Sequence, residues 1–198
     1  MKKFELTTEF ITNAFGKKLF RIKALVEFGD VKAGELGGYV EKEGNVSQAD
    51  NAWVSGNARV SGDARVSGNA WVSGNAWVYG DARVYGNARV SGNARVYGDA
   101  RVYGDARVYG DARVSGNARV SGNADYALVQ GFGTEFRCTT FYRGKNKKIM
   151  VNCGCFHGDL EGFRKQVKET RNGKIAKEYL MIADLMEYHF TSEDSGDE

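Results

Sequence analysis

Residues 98–114 read GDARVYGDARVYGDARV, the same six residues nearly three times over. The unit Val–Ser/Tyr–Gly–Asn/Asp–Ala–Arg/Trp extends on both sides. It places valine at 54, 60, 66, 72, 78, 84, 90, 96, 102, 108, 114 and 120 without a slip. A fixed short period marks a stacked-repeat architecture. Six is wrong for a helix face, on which apolar positions recur at three and four. It suits a short strand followed by a corner. Alternate strand residues share a face, so each valine points inward with the alanine two residues before it. The Arg/Trp before the valine and the Ser/Tyr after it point to solvent. Gly and Asn/Asp form the corner, where positive φ costs them least. Three strands close a triangular coil of about 18 residues, and coils stack about 4.8 Å apart as strands do in a sheet. The expected fold class is mainly β, a single-stranded parallel β-helix, whose hand the period leaves open.

The totals agree. A chain of 198 residues with net charge +3 and 42% hydrophobic content suits a soluble protein of one or two units. Twelve of its 26 glycines recur at one per hexad and it has no proline, so this glycine belongs to the repeat and not to a linker. Glu5 and Glu9 interrupt any signal-like apolar run in MKKFELTTEF, and no stretch has the length of a membrane span. Three cysteines, an odd number, fit a reducing cytoplasm and argue against a disulfide framework. The ending TSEDSGDE reads as an acidic, disordered tail over residues 192–198.

The repeat has borders. In GGYVEKEGNVSQADNAWV the step from Val40 to Val46 is six and that from Val46 to Val54 is eight, which predicts an imperfect first coil with a two-residue bulge near Gln48–Asp50. Before it, KKFELTTEF and KKLFRIKALVEF read as two strands capping the open end, because an uncovered solenoid end is an unpaired edge. The expected division is a β cap over 1–37, the β-helix over 38–124 and a small α+β domain over 125–191. In that last domain, strands over Tyr126–Gln130, Glu135–Arg143 and Lys148–Cys153 precede two helices, an order abbreviated ββαα. Asp159 caps the first helix, and Ile175, Tyr179, Ile182 and Met186 line the second.

Val54…Ala58 and Val60…Ala64 resemble the hexapeptide-repeat proteins, whose β-helix is left-handed; that resemblance implies a left hand here, a right-handed solenoid of the bactofilin type being the alternative. RIKALVEFGDVKAGELGGYVEKEGNVSQADNAWV (Arg21–Val54) resembles the YdcK-type β-solenoid family, especially the short members carried by bacteriophages and often labelled "hexapeptide transferase". TTFYRGKNKKIMVNCGCFHGDLEGFRKQVKET (Thr139–Thr170) resembles a domain that follows the solenoid in such proteins. The resemblance implies a solenoid fold and a phage origin, hence the cytoplasm of an infected host. It implies no defined activity.

Hexapeptide acyltransferases use a histidine at a subunit boundary as general base. Here the only histidines, His157 and His189, lie outside the repeat, no inserted loop builds a pocket, and fold alone does not establish function. The expectation is a protein with no catalytic residues and no cofactor, a degenerate acyltransferase being the third reading. Cys138, Cys153, Cys155 and His157 make a weak zinc candidate, since C-x-C-x-H lacks the spacing of structural sites. Buried thiols are the favoured reading of these groups.

The outward ladders carry more. One face presents Arg65, Arg83, Arg101 and Arg119 beside Tyr85 and Tyr103. A second presents Arg95, Arg113 and Trp77 beside Tyr79 and Tyr97. Trp53 and Trp71, on the third, suit packing on the cap or on a second subunit in a dimer or trimer. Cations interleaved with aromatics suit anionic partners and protein hot spots, although a solvated mosaic that keeps a flat sheet from aggregating would read the same way. The leading expectation is a non-enzymatic phage accessory protein. It docks on a host protein complex, or its nucleic acid, and blocks a defence system such as CRISPR. A structural or nucleotide-binding module is the alternative.

Overall fold

The computed structural model describes residues 2–191, so the acidic tail expected over 192–198 lies outside the described residues. The chain divides into two units, Met1–Asn123 and Ala124–Glu198.

The first unit is a parallel β-solenoid under an antiparallel cap. Strands β1 (Phe4–Thr12), β2 (Lys18–Ala24) and β3 (Leu36–Val40) precede twelve two-residue strands, β4 to β15, each the Arg/Trp–Val pair of one hexad from Trp53–Val54 to Arg119–Val120. Every third strand pairs in parallel, which makes three faces. These are the tryptophan face β4–β7–β10–β13, the mixed face β5–β8–β11–β14 and the arginine face β6–β9–β12–β15. Arg101 pairs with Arg83 and Arg119, and Val102 with Val84 and Val120, so the 18-residue step holds. All twelve hexad valines, and the alanine two residues before each, are fully buried. Each valine withdrawn from water contributes about 1.5–3 kcal/mol as an upper figure.

Backbone ladders join the coils, as in Arg101 N–H to Ala118 O at 2.9 Å and Tyr103 N–H to Val120 O at 2.9 Å. The corners need glycine. Gly92 has φ +68°, and a Cβ there would stand 2.9 Å from the amide nitrogen of Gly110 one coil on. At two corners asparagines stack into amide ladders. Asn51 donates to Asn69, Asn69 to Asn87 and Asn87 to Asp105, at 3.1, 3.1 and 3.0 Å. The third corner carries Asp63, Asp81 and Asp99 instead, and an asparagine only at its far end, Asn117.

The first coil is two residues longer, as the eight-residue step predicts. Tyr39 pairs with Arg59 and Val46 bridges Val66, each twenty residues on, whereas Trp53 pairs with Trp71, eighteen on. The extra residues tie down the cap. Gln48 accepts from the amides of Lys3 and Phe4 at 2.8 and 3.2 Å and donates to Phe4 O at 3.1 Å. The Lys3 ammonium donates to the carbonyls of Ala49, Asp50 and Ala52 at 3.3, 3.2 and 2.8 Å. It also lies 4.7 Å from the Phe28 ring centre. Burial lowers its pKa to about 8 against the opposing pull of Asp50. Strand β3 makes the transition, antiparallel to β2 and parallel to β5.

The second unit is a four-stranded antiparallel sheet with two helices. Its strands are β16 (Tyr126–Phe132), β17 (Arg137–Arg143), β18 (Ile149–Cys153) and β19 (Phe156–Asp159); its helices are α1 (Leu160–Thr170) and α2 (Gly173–Thr191). Asp159 caps α1, accepting from Gly162 N–H at 2.9 Å. Phe141 and Val151 of the sheet share a core with Phe163 and Val167 of α1 and Ile182, Met186 and Phe190 of α2. The α+β class stands, and the structure adds a fourth strand. Cys153–His157 is a tight hairpin, because Gly154 takes φ +62° and lets Cys153 pair with Phe156.

Candidate functional site: the outward ladders of the solenoid

On the arginine face Arg65, Arg83 and Arg101 stand exposed in one file. Among the described residues none of the three guanidinium groups makes an ion pair or hydrogen bond; the arginines are tied only through their backbone amides. The nearest carboxylate column begins with Asp63, whose partner is Lys42 at 2.7 Å. Arg119 leaves the file. Its guanidinium folds onto the backbone and donates to Ala118 O, Asp99 O and Asn117 O at 2.8, 3.1 and 3.2 Å. The four-cation column expected from the sequence is therefore a column of three with a satisfied fourth. Tyr85 and Tyr103 stack beside it with ring centres 5.2 Å apart and planes 6° from parallel. A groove of about 440 Å³ opens here, lined by Gly44, Ser47, Arg65, Val66, Ser67, Arg83, Tyr85 and Arg101. Its floor is low because the tyrosine ladder continues toward the cap as Ser67 and Ser47.

The mixed face is filled differently. Trp77 lies 4.8 Å from Tyr79, which stacks on Tyr97 at 5.0 Å and 4°. The indole N–H of Trp77 reaches Ser61 Oγ, one coil nearer the cap, at 3.4 Å. Burial raises the Tyr79 phenol, and the Tyr97 phenol adds to that, against Arg95 and Arg113. Arg95 and Arg113 are exposed.

On the tryptophan face the two indoles part company. Trp53 is completely buried because the cap covers it, one of the two packings expected of this pair. Phe28 and Phe4 meet it edge-on at 5.3 Å and 6.3 Å, and its Nε1 has no hydrogen-bond partner among the described residues. Trp71 lies half-buried along its own face and donates to Ser55 Oγ at 2.9 Å.

In the second unit, strand register separates the four groups of the zinc candidate. Cys153 pairs with Thr139 and accepts from its hydroxyl at 3.1 Å. His157 pairs with Asn152, on the opposite face of the sheet, with Nδ1 2.6 Å from Asn152 Oδ1. Cys138, one residue before Thr139, faces away from Cys153. The thiols are not the buried ones expected: Cys155, in the hairpin turn, is exposed, and Cys138 and Cys153 are only half-buried. No three His, Cys, Asp or Glu side chains are placed to hold one ion among the described residues. A cleft of about 280 Å³, lined among others by Arg137, Arg171, Cys153, Cys155 and Tyr179, also opens in this unit. Burial raises the Tyr179 phenol, with Cys153 adding to the shift. The sequence carries no periodic signal for this cleft, because its walls come from strands and helices far apart in the chain. Neither His157 nor His189 lines it or the groove.

Residues 52–124 match the model of the YdcK β-solenoid repeat in overlapping segments, from 52–66 through to 112–124. A search of curated proteins finds no match.

Proposed function

We propose that this YdcK-type solenoid protein acts by binding, not by catalysis, and that its docking surface is the arginine face. One observation carries the reading: Arg65, Arg83 and Arg101 stand in file with no ion pair among the described residues, along an open groove. Like charges about 4.8 Å apart in water repel by about 1 kcal/mol per pair. An anionic partner relieves that repulsion and gains charge-assisted hydrogen bonds that the free protein lacks. Against catalysis stands the composition of the groove, in which no histidine, cysteine or carboxylate is present to act as base or nucleophile.

The resemblance to short phage proteins supplies the setting, an accessory protein that blocks a host defence complex in the infected cell. The leading partner is an acidic surface of a host protein complex. The test is plating of a restricted phage on a host with an active defence system, with and without this protein. The expected result is restored plating by wild type and by Arg89→Glu/Arg107→Glu, and none by Arg83→Glu/Arg101→Glu. Circular dichroism should stay unchanged in all three, since exposed substitutions cost little stability. Equal losses from both pairs would reduce the surface to nonspecific charge.

A further inference from the structure

One hexad step carries Ser61, Trp77, Tyr79 and Tyr97 of the mixed face onto Ser67, Arg83, Tyr85 and Tyr103 of the arginine face. The tyrosine pairs are alike, stacked at 5.0 and 5.2 Å. The space next to them is not. On the mixed face the Trp77 indole lies against Tyr79 and bonds Ser61, which is thereby 5% exposed. On the arginine face no ring stands there. Among the described residues Tyr85 stacks on Tyr103 alone, Ser67 is half-exposed, and the groove fills the place of the indole.

From this equivalence we propose that the groove is a nucleotide site. The base takes the position that Trp77 occupies on the neighbouring face, its plane on the Tyr85 ring and a ring or exocyclic N–H on Ser67 Oγ. The phosphate lies on Arg65, Arg83 and Arg101. A flat heteroaromatic ring with N–H donors is what the indole already is. Guanidinium groups bind phosphate in bidentate fashion and stack on aromatic faces. A volume of about 440 Å³ is of the size that small-ligand sites use. Base–aromatic stacking tolerates any base, so the geometry selects a phosphorylated nucleoside without selecting its base. The proposal rests on reading this face as a surface for anions. It adds the requirement for a ring, which an acidic protein patch does not meet.

The experiment is calorimetric titration of the purified full chain with ATP, adenosine, tripolyphosphate and a single-stranded hexanucleotide. The expected result is binding of ATP at least tenfold tighter than of adenosine or tripolyphosphate. Binding confined to the hexanucleotide would support the same chemistry with a strand as its source. Two variants keep the fold by copying other hexads. Arg83→Trp recreates Trp77 and closes the groove, and Tyr85→Ser removes the ring while keeping every cation. Each should weaken ATP or hexanucleotide at least tenfold. Tripolyphosphate binding as tightly as ATP, no binding of either nucleotide ligand, or indifference to Tyr85→Ser would overturn the proposal. Retention on a polyanionic resin, lost in Arg83→Glu/Arg101→Glu, reads the anion surface separately. A failed ring requirement with intact retention therefore leaves the docking surface standing.

Discussion

The solenoid and the C-terminal unit bury their apolar side chains by opposite rules. In the solenoid one valine and one alanine per hexad vanish from solvent, each stacked on its own kind a coil away. In the C-terminal unit the core is a single assembly of unlike shapes. Phe163 meets Phe141, Phe156 and Tyr179 at 6.0, 5.6 and 5.9 Å, in edge-on and tilted geometries. A repeated core spreads stability along a line, as a sum of coil and interface terms. A unique core concentrates it, so that one ring can carry much of the unit.

The sharpest way to break this comparison is to damage each core and watch where the damage travels. Val96→Asp places an unpaired carboxylate among fully buried valines, at a cost of several kcal/mol. It should produce the largest effect of any substitution named here, with loss of the β signal of the solenoid in circular dichroism. Wild-type melting of this variant would mean that the inward and outward assignments are reversed. Next in size is Phe163→Ala. It removes a ring that is 3% exposed, for a loss of about 3–5 kcal/mol. Scanning calorimetry should show Val96→Asp lowering one transition and Phe163→Ala the other. A common shift of both would show that the two units melt as one.

What was legible follows the same division. Residues 18 apart are neighbours in a regular coil, so the pairings Arg65–Arg83–Arg101 and Trp53–Trp71 are arithmetic. The two-residue bulge is arithmetic too. Where a side chain turns aside from its file, arithmetic fails. Arg119 folds onto carbonyls at the end of its ladder. Trp53 keeps its file and packs on the cap as expected, but which residues cover it, Phe4 and Phe28 from some fifty and twenty-five residues away, is not arithmetic. The groove is half legible. The serines at 47 and 67 are visible in the chain as breaks in a tyrosine ladder, but only the placement of Trp77 over Tyr79 shows that such a break is a space of ring size. In the C-terminal unit the end of the strand at Cys153 is legible, but the short returning strand Phe156–Asp159 is not, because the sequence reading passes directly to the helix that Asp159 caps.

A smaller effect is expected where the regular coils meet the cap. Lys3→Met keeps the length of the side chain but leaves the carbonyls of Ala49, Asp50 and Ala52 without their donor. Only the Ala52 bond is buried, and one unsatisfied buried acceptor costs about 1–3 kcal/mol, offset by the desolvation the ammonium no longer suffers. The pH dependence isolates the charge. The pKa of Lys3 is about 8 in the folded protein against 10.5 for the free group. Between those values the unfolded chain holds a proton that the folded chain has shed, so unfolding takes up a proton and stability rises with pH. Denaturant midpoints measured from pH 8 to 10.5 should rise through this contribution in wild type. In Lys3→Met the rise should be smaller, and equal slopes would mean that the ammonium is not desolvated.

The smallest expected effect contrasts the corners of the solenoid. Two corners carry amide ladders that end on carboxylates, as in Asn87 to Asp105 at 3.0 Å and Asn93 to Asp111 at 3.1 Å. At the third corner Asp63, Asp81 and Asp99 occupy the same position, and a carboxylate has nothing to donate. That column already ends on the amide of Asn117; Asp81→Asn puts a second amide into it, between two carboxylates and able to donate to Asp99 as Asn87 does to Asp105. It also removes the central one of three like charges. Both changes favour the folded state, by about 1 kcal/mol together at these exposed positions. The reverse exchange, Asn75→Asp, breaks the link to Asn93 that stands at 3.3 Å and should cost a similar amount. Raising the salt from 0.05 to about 1 M separates the two contributions, since screening removes the repulsion and leaves the hydrogen bond. The gain from Asp81→Asn should shrink with salt and keep its sign. A gain that vanishes at high salt would mean that the corner amides add nothing beyond being uncharged.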